Sequence, residues 1–81
     1  MAVVTLRAFA ALRELVGGTQ QIEAEHVAGL LAQLREQHGT EFDRRMARTT
    51  VVVNEQQVPH DDTSPLGDDA EVVLLPPFAG G

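Results

Sequence analysis

The sequence comprises 81 residues, which is enough for one small domain with a single hydrophobic core. Its composition, 43% hydrophobic and 22% charged, is that of a globular protein and not of a disordered one. The formal net charge of −6 argues against nucleic acid and anionic membranes as partners, and the lack of cysteine excludes disulfides, thiolate metal sites and a cysteine nucleophile.

The first part of the chain predicts a strand, a short helix and a second strand. Residues 3–9 are rich in β-branched side chains and predict a strand with Val4, Leu6 and Ala8 on one face. Residues 11–16 are good helix formers followed by Gly17-Gly18, a typical helix end. Residues 19–24 carry a single strongly apolar side chain among polar ones, which predicts a short edge strand that pairs with the first strand.

An amphipathic helix is predicted over residues 26–38. Its apolar side chains recur at helical spacing, at Val27, Leu30, Leu31 and Leu34. The start is weakly indicated, because Glu25 and His26 are not favoured N-caps and Gly29 costs about 1 kcal/mol relative to alanine. A further short helix is predicted over residues 41–47, with Phe42 and Met46 facing inward.

The second half predicts three more strands. Residues 49–54 form a clear strand, and a turn over Asn54-Glu55-Gln56-Gln57 leads to a short return around Val58. Because Glu55 replaces the glycine usual in tight hairpins, this turn is expected to be longer or differently shaped. Residues 60–69 are expected to form a loop with Leu66 as its one buried anchor.

The last strand, Glu71-Val72-Val73-Leu74-Leu75, is the most apolar run of the sequence and predicts a buried central strand. With the first strand beside it in parallel, the order of elements predicts an α+β fold of the ubiquitin-like β-grasp type. In this fold one main helix packs across a mixed sheet of four to five strands. The predicted domain spans residues 1–75, and residues 76–81 form an extended C-terminal tail.

That tail is the best candidate for a functional site. Pro76 and Pro77 cannot continue the sheet, and Phe78 and Ala79 lead to Gly80 and Gly81, the residues with the least hindered backbone. Six extended residues reach roughly 20 Å, which is long enough to enter a pocket of another protein. A frayed terminus without function is the alternative, but such ends are usually polar and seldom carry a phenylalanine.

The chain resembles the small sulfur-carrier proteins of the β-grasp type, most closely the small subunits of molybdopterin synthase. The resemblance covers most of the chain. Its most specific part is the order of acidic turn, apolar strand, proline pair and terminal Gly-Gly. The matching stretches are Leu6 to Glu14, the leucines of the main helix, Val53-Asn54, Leu66 to Val72 and Pro76 to Gly81.

The resemblance implies a definite chemistry at Gly81. An E1-like adenylating enzyme would use ATP to activate its carboxylate, and a sulfur donor protein would convert the product to a thiocarboxylate. The large subunit of molybdopterin synthase would receive the sulfur and supply acid–base catalysis, while Pro76, Pro77, Phe78, Ala79 and Gly80 would lie in its channel. The chain would thus be a non-catalytic subunit and co-substrate without a bound cofactor.

Several alternatives remain open from the sequence. Sulfur carriers of thiamine and cysteine biosynthesis are similar, although thiamine carriers more often end in three glycines without a proline pair. A ubiquitin-like protein modifier would use the same activated Gly81, whereas a noncovalent adaptor would not need it.

Other polar residues do not suggest a site. His26, His38 and His60 lie far apart without a ligand pattern, so no metal site is predicted, and the aspartate pairs at 61–62 and 68–69 read as solvated loops that attract basic partners. No apolar run approaches the roughly 20 residues of a membrane span and no signal-like segment is present, so a cytoplasmic location is expected.

Overall fold

A mixed sheet with helices on one face forms the centre of the computed structural model, which describes residues 2–76. In chain order the elements are β1 (Ala2–Ala8), α1 (Ala10–Val16), β2 (Thr19–Ala24), α2 (Val27–His38), α3 (Thr40–Met46), β3 (Thr50–Val53), β4 (Gln56–Val58) and β5 (Glu71–Leu75). The strand order is β2-β1-β5-β3-β4, with β1 and β5 parallel and the other neighbours antiparallel. The predicted ubiquitin-like β-grasp fold is therefore confirmed.

The core lies between the sheet and the helices. Val4, Leu6 and Ala8 of β1 are buried, as their alternation predicts. All four apolar side chains of α2 are buried against them, and Phe42 and Met46 of α3 close the side of the core. Leu12 is the buried residue of α1. Periodicity alone therefore identified the inward faces of β1, α2 and α3.

The start of α2 is capped by a residue that the sequence analysis did not favour. His26 is the N-cap, and its Nδ1 accepts a hydrogen bond from the Gly29 amide at 2.8 Å. The carbonyl of Asp62, in the loop between β4 and β5, accepts a hydrogen bond from the Ala28 amide at 3.0 Å. Two of the amides that a helix start leaves unpaired are thereby satisfied, one by an imidazole and one by a distant loop. The expectation that His26 is a poor cap was wrong.

The β3–β4 hairpin is tighter than expected. Only Asn54 and Glu55 connect the two strands, with φ of 47° and 73°. Positive φ at both positions is the geometry of a type I′ turn, which fits the twist of the strands. The amide and side chain of Asn54 also bond to the start of β5, because its N–H donates to the Glu71 carbonyl and its Oδ1 accepts from the Glu71 amide. The expectation of a longer turn was wrong, since this link holds the turn in place.

The loop between β4 and β5 is tied to the helix side at two points. The Leu66 amide donates to the Glu25 carbonyl at 2.8 Å, and the Leu66 side chain packs half-buried against the core. Ala70 is more deeply buried, at 4% exposure. Ala70 is therefore a second buried anchor at the end of this loop, which its small side chain did not indicate in the sequence.

Candidate functional site

β5 is the element that carries the candidate tail. It pairs with β1 from Thr5↔Glu71 to Ala8↔Leu74, and with β3 from Val53↔Val72 to Thr50↔Leu75. Val72 and Leu74 are fully buried. A strand held on both sides and anchored in the core gives a fixed point from which the chain continues. Pro76, the first residue of the predicted tail, follows β5 and is half-buried.

The remaining predicted site residues lie outside the described part of the chain. These are Pro77, Phe78, Ala79, Gly80 and Gly81, so their assignment to a partner channel and to acyl chemistry stays a prediction. The structure does describe the surface around Pro76, where this segment begins.

The outer face of the sheet, opposite the helices, is partly apolar beside that point. Val73 and Leu75 of β5 and Val52 of β3 are half-buried, and Val52 pairs with Val73. Across the sheet, the Arg7 guanidinium lies 3.5 Å from the Glu71 carboxylate, with about half of each side chain exposed. The expectation that β5 is a buried strand therefore holds for one face only. We call Val52, Val73 and Leu75 the outer apolar patch.

Phe9 lies at the same end of the molecule. It follows β1 as the N-cap of α1 and is 41% exposed. Phe9 lines a cavity of about 230 Å³ together with Arg7, Ala8, Arg13, Gly18 and Thr19. Because Ala8 pairs with Leu74, this cavity lies beside the end of β5. The sequence pattern predicts Phe9 as the last residue of the first strand and gives no sign that its side chain is exposed, whereas β1 ends at Ala8.

A second cavity lies at the opposite end of the sheet. It measures about 490 Å³, and its lining residues are Ala2, Glu25, His26, Thr63, Pro65, Leu66 and Asp68. Asp68 accepts a hydrogen bond from the Val3 amide at 3.2 Å, and His26 caps α2, so both have structural roles here. Within residues 2–76, no three histidine or acidic side chains come together as metal ligands.

The carboxyl group of Glu41 has a shifted pKa, and it belongs to an ion-pair cluster on α3. The Arg45 guanidinium donates to Glu41 at 2.7 Å and, with Arg44 nearby, holds the pKa of that carboxyl below its ordinary value. Arg45 also donates to the Ala11 carbonyl and so ties α3 to α1. This cluster fixes helices and does not form a reaction centre.

The comparisons with known proteins bear directly on this arrangement. The sequence profile of the ThiS family matches residues 6–81. The chain belongs to the ThiS family. Its members are small β-grasp sulfur carriers, and the matched range includes the whole tail that the sequence analysis selected. No curated protein sequence matches the chain significantly.

Solved structures of similar proteins share the fold over nearly their full length. A putative molybdopterin converting factor subunit 1 from Pyrococcus furiosus is 24% identical, with a TM-score of 0.79 over 96% of this chain and 100% of that one. The small archaeal modifier protein SAMP1 from Methanosarcina acetivorans is also 24% identical, with a TM-score of 0.78 over 100% and 98%.

A complex of subunits 1 and 2 of the molybdopterin-converting factor from Helicobacter pylori contains a further similar chain. It is 25% identical to this protein, with a TM-score of 0.73 over 98% of this chain and 99% of that one. The similar structures thus include both molybdopterin-converting factor subunits and a small archaeal modifier protein.

Among residues 2–76, no helix is both long and apolar enough to cross a membrane.

Proposed function

We propose that this ThiS-family protein carries sulfur as a thiocarboxylate on Gly81 and donates it to a pterin precursor in molybdenum cofactor biosynthesis. The observation that supports this most is the way in which β5, paired on both sides, runs directly into Pro-Pro-Phe-Ala-Gly-Gly. A fixed strand followed by a narrow segment suits delivery of a terminal carboxylate into another protein's active site.

The proposed chemistry takes place in three displacements. A carboxylate oxygen of Gly81 attacks the α-phosphate of ATP on an activating enzyme, pyrophosphate leaves, and an acyl adenylate forms. The terminal sulfur of a persulfide on a donor protein then attacks the carbonyl carbon, the bond to AMP breaks, and an acyl disulfide forms. A thiol reductant finally attacks the donor's sulfur atom, so that the thiocarboxylate leaves with both electrons of the sulfur–sulfur bond and the donor is left in a disulfide with the thiol. ATP is a co-substrate of the activating partner and not a cofactor of this chain.

The residues of this chain contribute access and position. Gly80 and Gly81 have no Cβ, so nucleophiles can approach the carbonyl carbon without obstruction. Pro76 and Pro77 each restrict φ, which lowers the conformational entropy that the tail loses on entering a channel. In this proposal the partner proteins supply the acid–base catalysis, and this chain acts as co-substrate.

We propose a large subunit of molybdopterin synthase as the receiving partner. The Helicobacter pylori complex supports this choice, because there a similar subunit 1 is assembled with subunit 2. On this chain the outer apolar patch and Phe9 lie next to the start of the tail. They would extend the contact from the tail onto the folded domain, since partly exposed apolar side chains grouped around one point are typical of protein interfaces.

A second candidate function is that of a protein modifier. Its support is the similarity to SAMP1, which at 24% identity concerns the fold. A modifier would use the same acyl adenylate but transfer Gly81 to a lysine amine of another protein. Carriers for thiamine or cysteine biosynthesis remain candidates within the sulfur-transfer class.

Intact mass spectrometry of the protein with its activating enzyme, ATP and a sulfur donor tests the proposal. We expect the mass to change by replacement of one oxygen by sulfur, and we expect the product to generate molybdopterin with the large subunit. The control is a chain extended by one alanine after Gly81, which should fold equally well and stay unmodified. High-mass conjugates would instead identify a modifier, and an unchanged mass in the unextended protein would contradict both.

A further inference from the structure

The cavity beside the end of β5 is basic, although the protein as a whole is acidic. We call it the Phe9 cavity; its volume is about 230 Å³, and its lining residues are Arg7, Ala8, Phe9, Arg13, Gly18 and Thr19. Both charged residues of this lining are arginines, in a chain with a formal net charge of −6. Arg7 lies 3.5 Å from Glu71, whereas Arg13 forms no ion pair within residues 2–76. Because each guanidinium carries five N–H donors, the cavity presents donors that an anion can use.

Packing holds the Arg13 guanidinium at the wall of the Phe9 cavity. A Cβ added to Gly18 would lie 3.3 Å from Nε of Arg13 and 3.8 Å from its Cζ. The arginine side chain therefore lies directly on the Gly18 backbone. That backbone is itself fixed, because the Gly18 carbonyl accepts a hydrogen bond from the Ala8 amide at 2.9 Å. Although the Arg13 side chain is exposed, its charged end has a defined position beside the cavity.

The other side of the Phe9 cavity is apolar. Ala8 is buried at 3% exposure, and the Phe9 side chain is 41% exposed. Pockets for whole small molecules usually measure about 300–1,000 Å³, so this smaller cavity suits a single side chain better. The occupant that fits both sides has an anionic end for the arginines and an aliphatic part for Ala8 and Phe9. Glutamate has this composition, whereas a free phosphate ion has no apolar part.

We propose that the Phe9 cavity binds a glutamate side chain of a partner protein. In this complex the carboxylate accepts hydrogen bonds from the guanidinium groups of Arg7 and Arg13, and the methylene groups contact Ala8 and Phe9. Hydrogen bonds between a guanidinium and a carboxylate are about twice as strong as those between neutral groups.

The position of the cavity indicates which partner supplies the glutamate. Arg7 pairs with Val73, a member of the outer apolar patch, so a protein that covers the patch also reaches the Phe9 cavity. The choice of partner rests on the proposed function, in which the large subunit contacts this surface. The preference for glutamate rests on the cavity alone. An apolar or basic side chain at the same point would desolvate both guanidinium groups without adding an acceptor, so the cavity contributes to partner selection.

Two small compounds test the cavity without a partner protein. N-acetylglutamate N-methylamide carries the proposed side chain, and N-acetylglutamine N-methylamide has the same shape without the charge. Each compound is titrated into the full chain at constant ionic strength, and the arginine Nε–H signals are followed by NMR. We expect the charged compound to bind about tenfold more tightly and to shift the signals of Arg7 and Arg13. The signal of Arg44, an exposed side chain on α3, should stay unchanged.

Substitutions locate the binding within the Phe9 cavity. Arg13→Gln should weaken binding of the glutamate compound about tenfold. Gly18→Ala should weaken it to a lesser extent, because the added Cβ displaces the guanidinium from the wall. Arg44→Gln makes the same change of charge on α3 and should bind like the unsubstituted protein. Equal affinity for both compounds, tighter binding of inorganic phosphate than of the glutamate compound, or an equal loss in Arg44→Gln would overturn the proposal.

Calorimetric titration with the large subunit separates this inference from the proposed function. We expect Arg13→Gln to lower the affinity about tenfold and Arg44→Gln to leave it unchanged. If the unsubstituted protein binds the glutamate compound but not the large subunit, the proposed partner is wrong and the preference of the cavity stands. If Arg13→Gln binds the large subunit as tightly as the unsubstituted protein, the role of the cavity is contradicted and the proposed function stands.

Discussion

Glu55 occupies a backbone conformation that glycine adopts more readily. Its φ is 73°, and it is the second residue of the two-residue turn between β3 and β4. A residue with a Cβ in this region costs roughly 1–2 kcal/mol, whereas glycine adds about 0.4–1 kcal/mol of unfolded-state entropy. We expect Glu55→Gly to stabilise the protein by on the order of 0.5–1 kcal/mol, measured by chemical denaturation.

Asn54→Gly is the matched control for this substitution. It relieves a positive φ at the neighbouring position but removes the Oδ1 that accepts from the Glu71 amide. A lost hydrogen bond of this kind costs about 1 kcal/mol, so this variant should be less stable than Glu55→Gly. If both variants gain equally, the Asn54 side chain does not hold the turn to β5.

The conformation of Asn54 and Glu55 could be predicted from the sequence only if it were determined by neighbouring residues. Glutamate rarely adopts positive φ, so the residue type at position 55 argued against a tight turn. Such a preference takes account only of the local backbone. The bonds from Asn54 to Glu71 join positions far apart in sequence. Such a tertiary contact overrides a local preference and cannot be read from the turn alone.

At the level of elements, the start of α2 couples His26 to Gly29. A Cβ added to Gly29 would lie 3.1 Å from Cε1 of the His26 ring, which is tighter than an ordinary contact. The ring is held there because its Nδ1 accepts from the Gly29 amide. Glycine at position 29 lowers the helix propensity, but it leaves the space that the His26 ring needs in order to cap the helix.

We expect Gly29→Ala to destabilise the protein, despite the higher helix propensity of alanine. In a His26→Ser background, where a small hydroxyl caps the helix, the same substitution should stabilise it by about 1 kcal/mol. Thermal unfolding of the two single variants and the double variant measures the coupling. Additive effects would contradict the proposed contact between the ring and position 29.

The elements themselves were largely predictable, because hydrophobic period determines which faces meet. The row of Val27, Leu30, Leu31 and Leu34 gave α2 almost to its bounds. The continuous apolar run of β5 suggested burial on both faces, whereas helices cover only one of them in the described chain. Val73 and Leu75 are half-buried on the face that the helices do not cover, so core packing does not explain why they are apolar. Their position next to the tail offers a better explanation.

At the scale of the whole molecule, the tail and the domain have separable roles. Phe78 follows the two prolines, and its placement lies outside the described residues. An aromatic ring on a stiffened segment is suited to fill a partner's pocket. We expect Phe78→Ala to weaken binding to the large partner subunit by about 2 kcal/mol, roughly thirtyfold, with an unchanged melting temperature.

Leu74→Ala is the control, because it should lower folding stability by removing a core side chain and not by removing a contact of the tail with the partner. Leu74 of β5 is fully buried in the core, so its truncation should cost about 2–5 kcal/mol of folding stability. Calorimetric titration with the partner and thermal unfolding of each variant separate the two effects. A lowered melting temperature with undiminished affinity for Phe78→Ala would place that ring on its own domain.

The sequence alone predicts the tail as a candidate site, but it does not predict the surface beside the tail. The order of apolar strand, proline pair and glycines indicates the tail, because prolines cannot continue the sheet and glycines leave the backbone unhindered. The outer apolar patch and Phe9 required the strand order, since Val52 and Val73 become neighbours only through the pairing of β3 with β5. Residues that meet across a sheet leave no periodic signal in the chain.

The position of β5 between β1 and β3 has a consequence for biosynthesis. During translation every other element emerges first, yet the centre of the sheet stays empty until β5 leaves the ribosome. A nascent or truncated chain without β5 leaves β1 and β3 without their common neighbour and Val4, Leu6 and Val51 without much of their packing. We expect such a chain to be bound by chaperones and cut by proteases, so that folding itself would separate complete domains from incomplete ones.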